Sequence, residues 1–158
     1  EVELCKLKEA GYLHDIGKTV LDPKIINKSY QLSSEELNEV KKHPVAGYRI
    51  LNSFDATMDL AEPVLAHHEH WDGSGYPRGL KGEEIPLPAR IIMIAESYDR
   101  MIYGSENTRP MSEAAALSVI KEKAGTIFDP RLAELFVQMI QHTNNCVNEK
   151  GNKQPSGS

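Results

Sequence analysis

Eighteen residues from Trp71 to Pro88 carry four glycines and three prolines, and this stretch limits what the chain can become. So many breakers exclude a helix, and their irregular spacing excludes a pair of strands. On both sides of the stretch, apolar residues return at helical spacing. The chain therefore has to be a helical body supporting one long loop, and a loop of that length inside a compact domain is usually functional.

The flanking pattern divides into short helices. Leu4, Leu7 and Leu13 keep one face of residues 2–14 apolar, in a helix expected to end near Gly17. Ser33 opens a capping box with Glu36, ahead of Leu37, Val40 and Leu51. Pro44 splits or kinks that stretch. Leu60, Val64 and Leu65 predict a helix over 60–70. Residues 89–103, with Ile91, Ile92, Met93, Ile94, Ala95, Met101 and Ile102, predict a central buried helix. Ser112 caps a helix through Ile120, and Asp129–Pro130 opens one carrying Leu132, Leu135, Phe136 and Met139. No strand and no repeat is read, so the class is all-α. One domain is expected over 1–143, with a disordered tail over 144–158 where Asn, Lys, Gly and Ser dominate.

The 158 residues hold 18 Lys+Arg against 23 Asp+Glu, a formal net charge of -5. That balance argues against a duplex nucleic-acid partner, which requires a phosphate-neutralising basic face. No apolar run approaches the ~18 residues of a membrane span, so no membrane contact is expected of this domain. With no secretory leader read at its start, it is expected in the cytoplasm. Cys5 and Cys146 lie near opposite ends. They are too few for a thiolate metal site or a disulfide framework. Two reduced thiols are expected, with an end-to-end disulfide as the alternative.

The histidines carry the chemical signal. His67, His68 and His70 fall within four residues, His14 is fused to Asp15, and His43 precedes Pro44. Imidazole and carboxylate form the natural mixed ligand set for a divalent metal. Neighbours such as His14 and Asp15 point about 100° apart on a helix. They serve one site only if ions lie in the wedge between them, or if the carboxylate bridges two ions with its two oxygens. Asp99 falls in the most apolar helix, where a lone charge is costly and has to be paired or coordinated. Structural readings stand beside these: a solvated His-His-Glu-His face, a helix cap at His43, and an ion pair from Asp99 to Arg90 or Arg100. Spacing alone leaves the metal and structural readings balanced.

An ordered set of motifs tips that balance. His14-Asp15-Ile16-Gly17-Lys18, His43-Pro44 and His67-His68-Glu69-His70-Trp71-Asp72-Gly73-Ser74-Gly75-Tyr76-Pro77 resemble the HD-GYP family of HD-domain phosphohydrolases. So do Gly79 to Pro86, Ala89-Arg90-Ile91 and Phe128-Asp129-Pro130. The resemblance implies an HD-domain helical bundle with a long Gly/Pro-rich loop. It implies a phosphodiesterase that hydrolyses cyclic di-GMP to pGpG, GMP or both. Its cofactors would be two divalent metal ions, iron or manganese first, with nickel or zinc compatible. The implied ligands are His14, Asp15, His43, His67, His68 and Asp99, with Asp15 bridging. Asp15 and Lys18 would be catalytic, and Lys18, Gly75, Tyr76, Pro77 and Arg109 would contact substrate. A GGDEF-type cyclase domain is an implied partner at the Gly-Tyr-Pro loop. The chemistry agrees, because paired cations clamp a phosphodiester and bring a bridging water toward its hydroxide form near neutrality. Lys18, three residues beyond Asp15, falls on the same side of a helical turn and can stabilise phosphoryl charge.

Two departures keep other functions open. The stretch before His14 offers Glu1, Glu3 and Glu9 but no His. An N-terminal helix that supplies further ligands in the family is therefore expected to be missing, which favours two ions over three. The Arg109-Pro110 pair is followed by no Lys or Arg before Lys121, so the family's basic phosphate clamp is gone. Arg78, Arg90 and Arg100 are candidate substitutes. The alternatives are a catalytically weak module that binds nucleotide or docks a GGDEF-type domain, and a phosphohydrolase for another nucleotide.

Overall fold

The computed structural model describes residues 2–26, 28, 31–104 and 109–151. Helix α1 (Val2–Leu13) passes through a 3-10 turn (Ile16–Val20) and α2 (Pro23–Ile26) to α3 (Ser34–Val40), α4 (His43–Leu51) and α5 (Met58–Ala66). The long loop follows, with a 3-10 turn at Gly82–Glu84, and then α6 (Leu87–Tyr103), α7 (Glu113–Glu122) and α8 (Pro130–Gly151). Among the described residues no strand forms, and Ala124 and Phe128 make one isolated bridge. The all-α expectation holds.

Local chemistry sets the helix starts. Ser33 Oγ accepts from the Glu36 N–H at 3.3 Å while Glu36 Oε2 accepts from the Ser33 N–H at 2.8 Å, closing the box that opens α3. Pro44 sits in the first turn of α4, where its missing N–H costs nothing. Ser112 caps α7 through the Ala115 N–H, and Asp129 caps α8 through the N–H groups of Arg131 and Leu132.

Two apolar clusters share α6. Ala10, Leu51, Leu60, Ala61, Val64 and Ile92 join α1, α4 and α5 to its first half. Met93, Ile94, Leu117, Ile120, Phe128, Ala133 and Val137 join α7 and α8 to it from the other side. Each fully buried aliphatic side chain contributes about 2 kcal/mol, so α6 is the beam on which both halves rest. A third cluster, Ala66, Ile85 and Ala89, pins the long loop against α5 and α6.

The structure departs from the sequence expectations at four places. Helix α1 stops at Leu13, and Leu4 is exposed; fully buried Ala10 marks the half that docks. Helix α5 ends at Ala66, so His67 and His68 stand in the turn after it. Burial on α6 ends at Ile94, and its second half carries no buried residue. Helix α8 continues to Gly151, past the 144 boundary expected for a disordered tail, because nothing breaks its ladder before that glycine. Residues 152–158 lie outside the described ones. Cys5 is exposed and unbonded. Among the described residues no helix is long and apolar enough to cross a membrane.

Candidate metal centre and active site

Three elements meet where two glycines permit it. A Cβ on Gly17 would lie 1.9 Å from the His43 carbonyl oxygen and 2.5 Å from the Gly47 nitrogen. The backbone of the Ile16–Val20 turn thus lies directly on α4, which sets Asp15 beside His43. Asp15 stands at the N-cap position of that turn but makes no cap. Its Oδ1 instead lies 3.2 Å from His43 Nε2, and its Oδ2 lies 3.4 Å from His14 Nε2. His67 reaches the same point from the end of α5, with its Nε2 3.2 Å from His43 Nε2.

Three rings are oriented in one manner. Nδ1 of His14, His43 and His67 lies 2.6 Å from the carbonyl oxygen three residues earlier, on Gly11, Val40 and Val64. A carbonyl can only accept, so each Nδ1 carries the proton, and in the neutral ring each Nε2 offers its lone pair. Such backing is how metal-binding imidazoles are held. His43, His67 and His68 offer nitrogens within 4.8 Å of one another, and the His67 and His68 ring centroids are 4.1 Å apart.

That geometry asks for a cation. Asp15 Oδ1 is buried without a hydrogen bond, and His43 Nε2 faces both it and the Nε2 of His67. One proton on His43 Nε2 can serve only one of its two acceptor neighbours; a divalent ion can serve all of them. The residues present therefore fit a metal site.

Protonation fits the same picture. Burial holds His67 down at about 4 and His68 at about 2, and neighbouring imidazoles deepen both shifts. Both rings are neutral at pH 7 and ready to ligate. Burial pushes the Asp15 carboxyl up, but its contacts with His43 and Lys18 outweigh this and hold it well below the usual carboxylate range. The histidine shifts give a signed prediction. The unfolded chain takes up protons below about pH 6.5, while the folded chain resists until pH 4 or lower. Stability of the metal-free protein should therefore fall as pH drops from 6.5 toward 4. Thermal melts in chelator across that range check this; a flat profile would contradict the neutral pair.

Lys18 Nζ lies 2.5 Å from Asp15 Oδ2, on the side the helical-turn spacing predicts. Tyr76 stacks on His68 with centroids 5.0 Å apart and planes 24° apart. Burial pushes the Tyr76 phenol up to about 12, with Glu96 adding to the shift, so it stays a donor at neutral pH. The loop that presents Tyr76 is clamped by Glu69, which is buried. Glu69 Oε1 accepts from the Arg78 N–H at 2.6 Å and Oε2 from the Leu80 N–H at 3.1 Å. Gly75 lets the loop lie on this segment, since its Cβ would sit 2.2 Å from the His70 nitrogen.

Asp99 does not join the cluster. It is exposed, in the half of α6 beyond the core. The sequence reading of Asp99 as a buried carboxylate is thereby corrected. Glu96, one turn earlier, has an Oε2 that is buried and without a partner, while its Oε1 accepts from Arg100 Nη2 at 2.6 Å. Arg109 is exposed. Arg78 pairs with Glu62 at 2.9 Å, and Arg90 pairs with Asp129 at 2.7 Å beside the Trp71 ring, so both brace the loop. Lys41, which the sequence reading missed, places its Nζ 5.5 Å from the Tyr76 ring centroid.

A family model described as an HD domain matches residues 1–132. The chain belongs to the HD-domain family. It is 39% identical over 143 residues to a cyclic di-GMP phosphodiesterase of Thermotoga maritima, covering 88% of this chain and 38% of that protein. It is 36% identical over 144 residues to the cyclic di-GMP phosphodiesterase response regulator RpfG of Xanthomonas campestris pv. campestris, covering 87% and 37%. The chain thus spans under two fifths of the length of these relatives. A solved cyclic GMP-AMP specific phosphodiesterase of Vibrio cholerae shares the fold, with a TM-score of 0.68 at 21% identity over 98% of this chain and 44% of that one. These likenesses agree with the HD-GYP resemblance read from motifs between residues 14 and 130.

Proposed function

We propose that this domain is a metal-dependent phosphodiesterase that hydrolyses cyclic di-GMP to pGpG, GMP or both. The observation that carries the reading is that His43 Nε2 lies 3.2 Å from both Asp15 Oδ1 and His67 Nε2, while Asp15 Oδ1 is buried without a hydrogen bond. His14, Asp15, His43, His67 and His68 would hold two divalent ions, with Glu96 in the place the sequence reading gave to Asp99. Iron or manganese suits this set first; nickel and zinc are compatible with it. Bound ions would supply Lewis-acid polarisation of the phosphodiester and a lowered pKa for a coordinated water.

The remaining work falls to the chain's own groups. Lys18, held on Asp15, is placed to turn its ammonium toward a phosphoryl oxygen and offset the charge that builds there. Tyr76 donates from the loop, and Lys41 adds a cation at the same mouth. These two stand in for the basic clamp missing after Arg109. The working unit is residues 1–143, acting where a cyclic dinucleotide messenger is found, in the cytoplasm. A second reading, a weakly catalytic module that binds nucleotide or docks a GGDEF-type domain through Gly75, Tyr76 and Pro77, is favoured by the exposure of Arg109.

Metal-loaded protein incubated with cyclic di-GMP should release linear products, followed by chromatography, with close to two ions per chain by elemental analysis. Two ions, dinucleotide binding and no linear product under iron, manganese or nickel would favour the second reading. Fewer than one ion per chain after loading would overturn both.

A further inference from the structure

A cavity of roughly 390 Å3 opens beside the metal centre. It shares His68 and Tyr76 with the centre, and Met93, Met101 and Phe128 supply an apolar lining. Two cations, Arg100 and Lys123, also line it. Lys123 is taken at 2.9 Å by Glu122, its neighbour in sequence. Arg100 differs, because one Nη2 contact to Glu96 holds the guanidinium in place. Nη2 carries a second N–H, so an edge shared with Nη1 or with Nε stays open to a ligand, and the side chain is half exposed. An anchored planar fork above an apolar slot suits a flat heterocycle with two adjacent acceptors on one edge.

The geometry points to this cavity as the subsite for one purine base of the dinucleotide, with Arg100 selecting guanine over adenine; the inference rests on the phosphodiesterase reading. Guanine presents O6 and N7, two acceptors that a guanidinium meets together, whereas adenine puts an amino donor where O6 would be. The methionines accept the ring faces without demanding one exact fit. Arg100 joins two tasks by this account. One N–H of Nη2 steadies Glu96 at the metal centre, and the edge formed by its second N–H with a neighbouring nitrogen reads the base.

The test compares guanosine and adenosine monophosphates by calorimetry, and cyclic di-GMP with cyclic di-AMP by turnover, in the metal-loaded protein. The expected guanine preference is about tenfold. Arg100→Lys retains a cation for Glu96 but lacks the planar fork, so preference should collapse toward unity while the metal count stays the same. Arg100→Gln should lose the preference as well. Equal binding of the two mononucleotides by the unaltered protein, or a preference untouched by both substitutions, overturns the inference and leaves the phosphodiesterase reading standing. An Arg100-dependent preference in a protein that opens no dinucleotide supports the subsite and overturns the reaction assigned to it.

Discussion

Asp15→Asn should strip the domain of its metal and lower cyclic dinucleotide hydrolysis on the order of a thousandfold or more. Among the described residues, the Asp15 carboxylate is the only acidic group flanked at once by His14 Nε2, His43 Nε2 and Lys18 Nζ. An amide keeps the shape but not the charge, and it has one oxygen where a bridge requires two. Losing several kcal/mol of stabilisation of phosphoryl charge raises the barrier by that amount, and each ~1.4 kcal/mol slows the reaction tenfold. Fold stability should move the other way or stay level. Asp15 Oδ1 is buried without a partner, and an amide N–H turned that way can donate to the bare Nε2 of His43. The melting temperature without metal should hold or rise, while the added stabilisation from manganese disappears. Melts with and without manganese, elemental analysis and product chromatography separate these effects. A variant that still holds two ions and still gains stability from manganese would remove Asp15 from the centre.

How far the sequence foretold this site depended on whether the signal was local. The capping box at Ser33, the Pro44 break and the Asp129 cap are short-range chemistry, and all appear where the residues put them. His14, Asp15, His43, His67 and His68 carried their chemistry in their identities, and the fold brings them together. Asp99 failed for a geometric reason. Apolar content around it suggested depth, but full burial on α6 ends at Ile94; Tyr98 and Met101 still pack against the core, and Asp99 lies on the exposed side of that turn. Glu96 carried no distinguishing mark beyond its charge; only an unpartnered oxygen in three dimensions exposes it. Lys41 was equally silent, since its place over Tyr76 depends on how the 71–88 loop folds back across the end of α3. Among the three arginines offered as clamp substitutes, partners decide: Arg78 and Arg90 brace the loop, and Arg100 alone faces the cavity.

Gly17→Ala should damage fold and metal centre together. The added carbon would meet backbone atoms at 1.9 and 2.5 Å, the His43 carbonyl oxygen and the Gly47 nitrogen. Neither can swing aside as a side-chain tip can. The Ile16–Val20 turn and α4 would have to separate, at a cost of about 3 kcal/mol or more, the upper end for overpacking. Separation also pulls Asp15 from His43, so metal affinity should fall together with stability, though no ligand is altered. Gly11→Ala is the matched control. Its Cβ would meet nothing within 4 Å, and inside α1 alanine is favoured over glycine by up to about 1 kcal/mol. The Gly11 carbonyl that backs His14 Nδ1 is main chain and survives the change. Chemical denaturation should therefore show Gly11→Ala level with or above the parent and Gly17→Ala far below it, with manganese titration following the same order. If Gly17→Ala instead matches the parent in both measurements, the turn and α4 are not in the contact that places Asp15 against His43, and the centre is assembled in some other way.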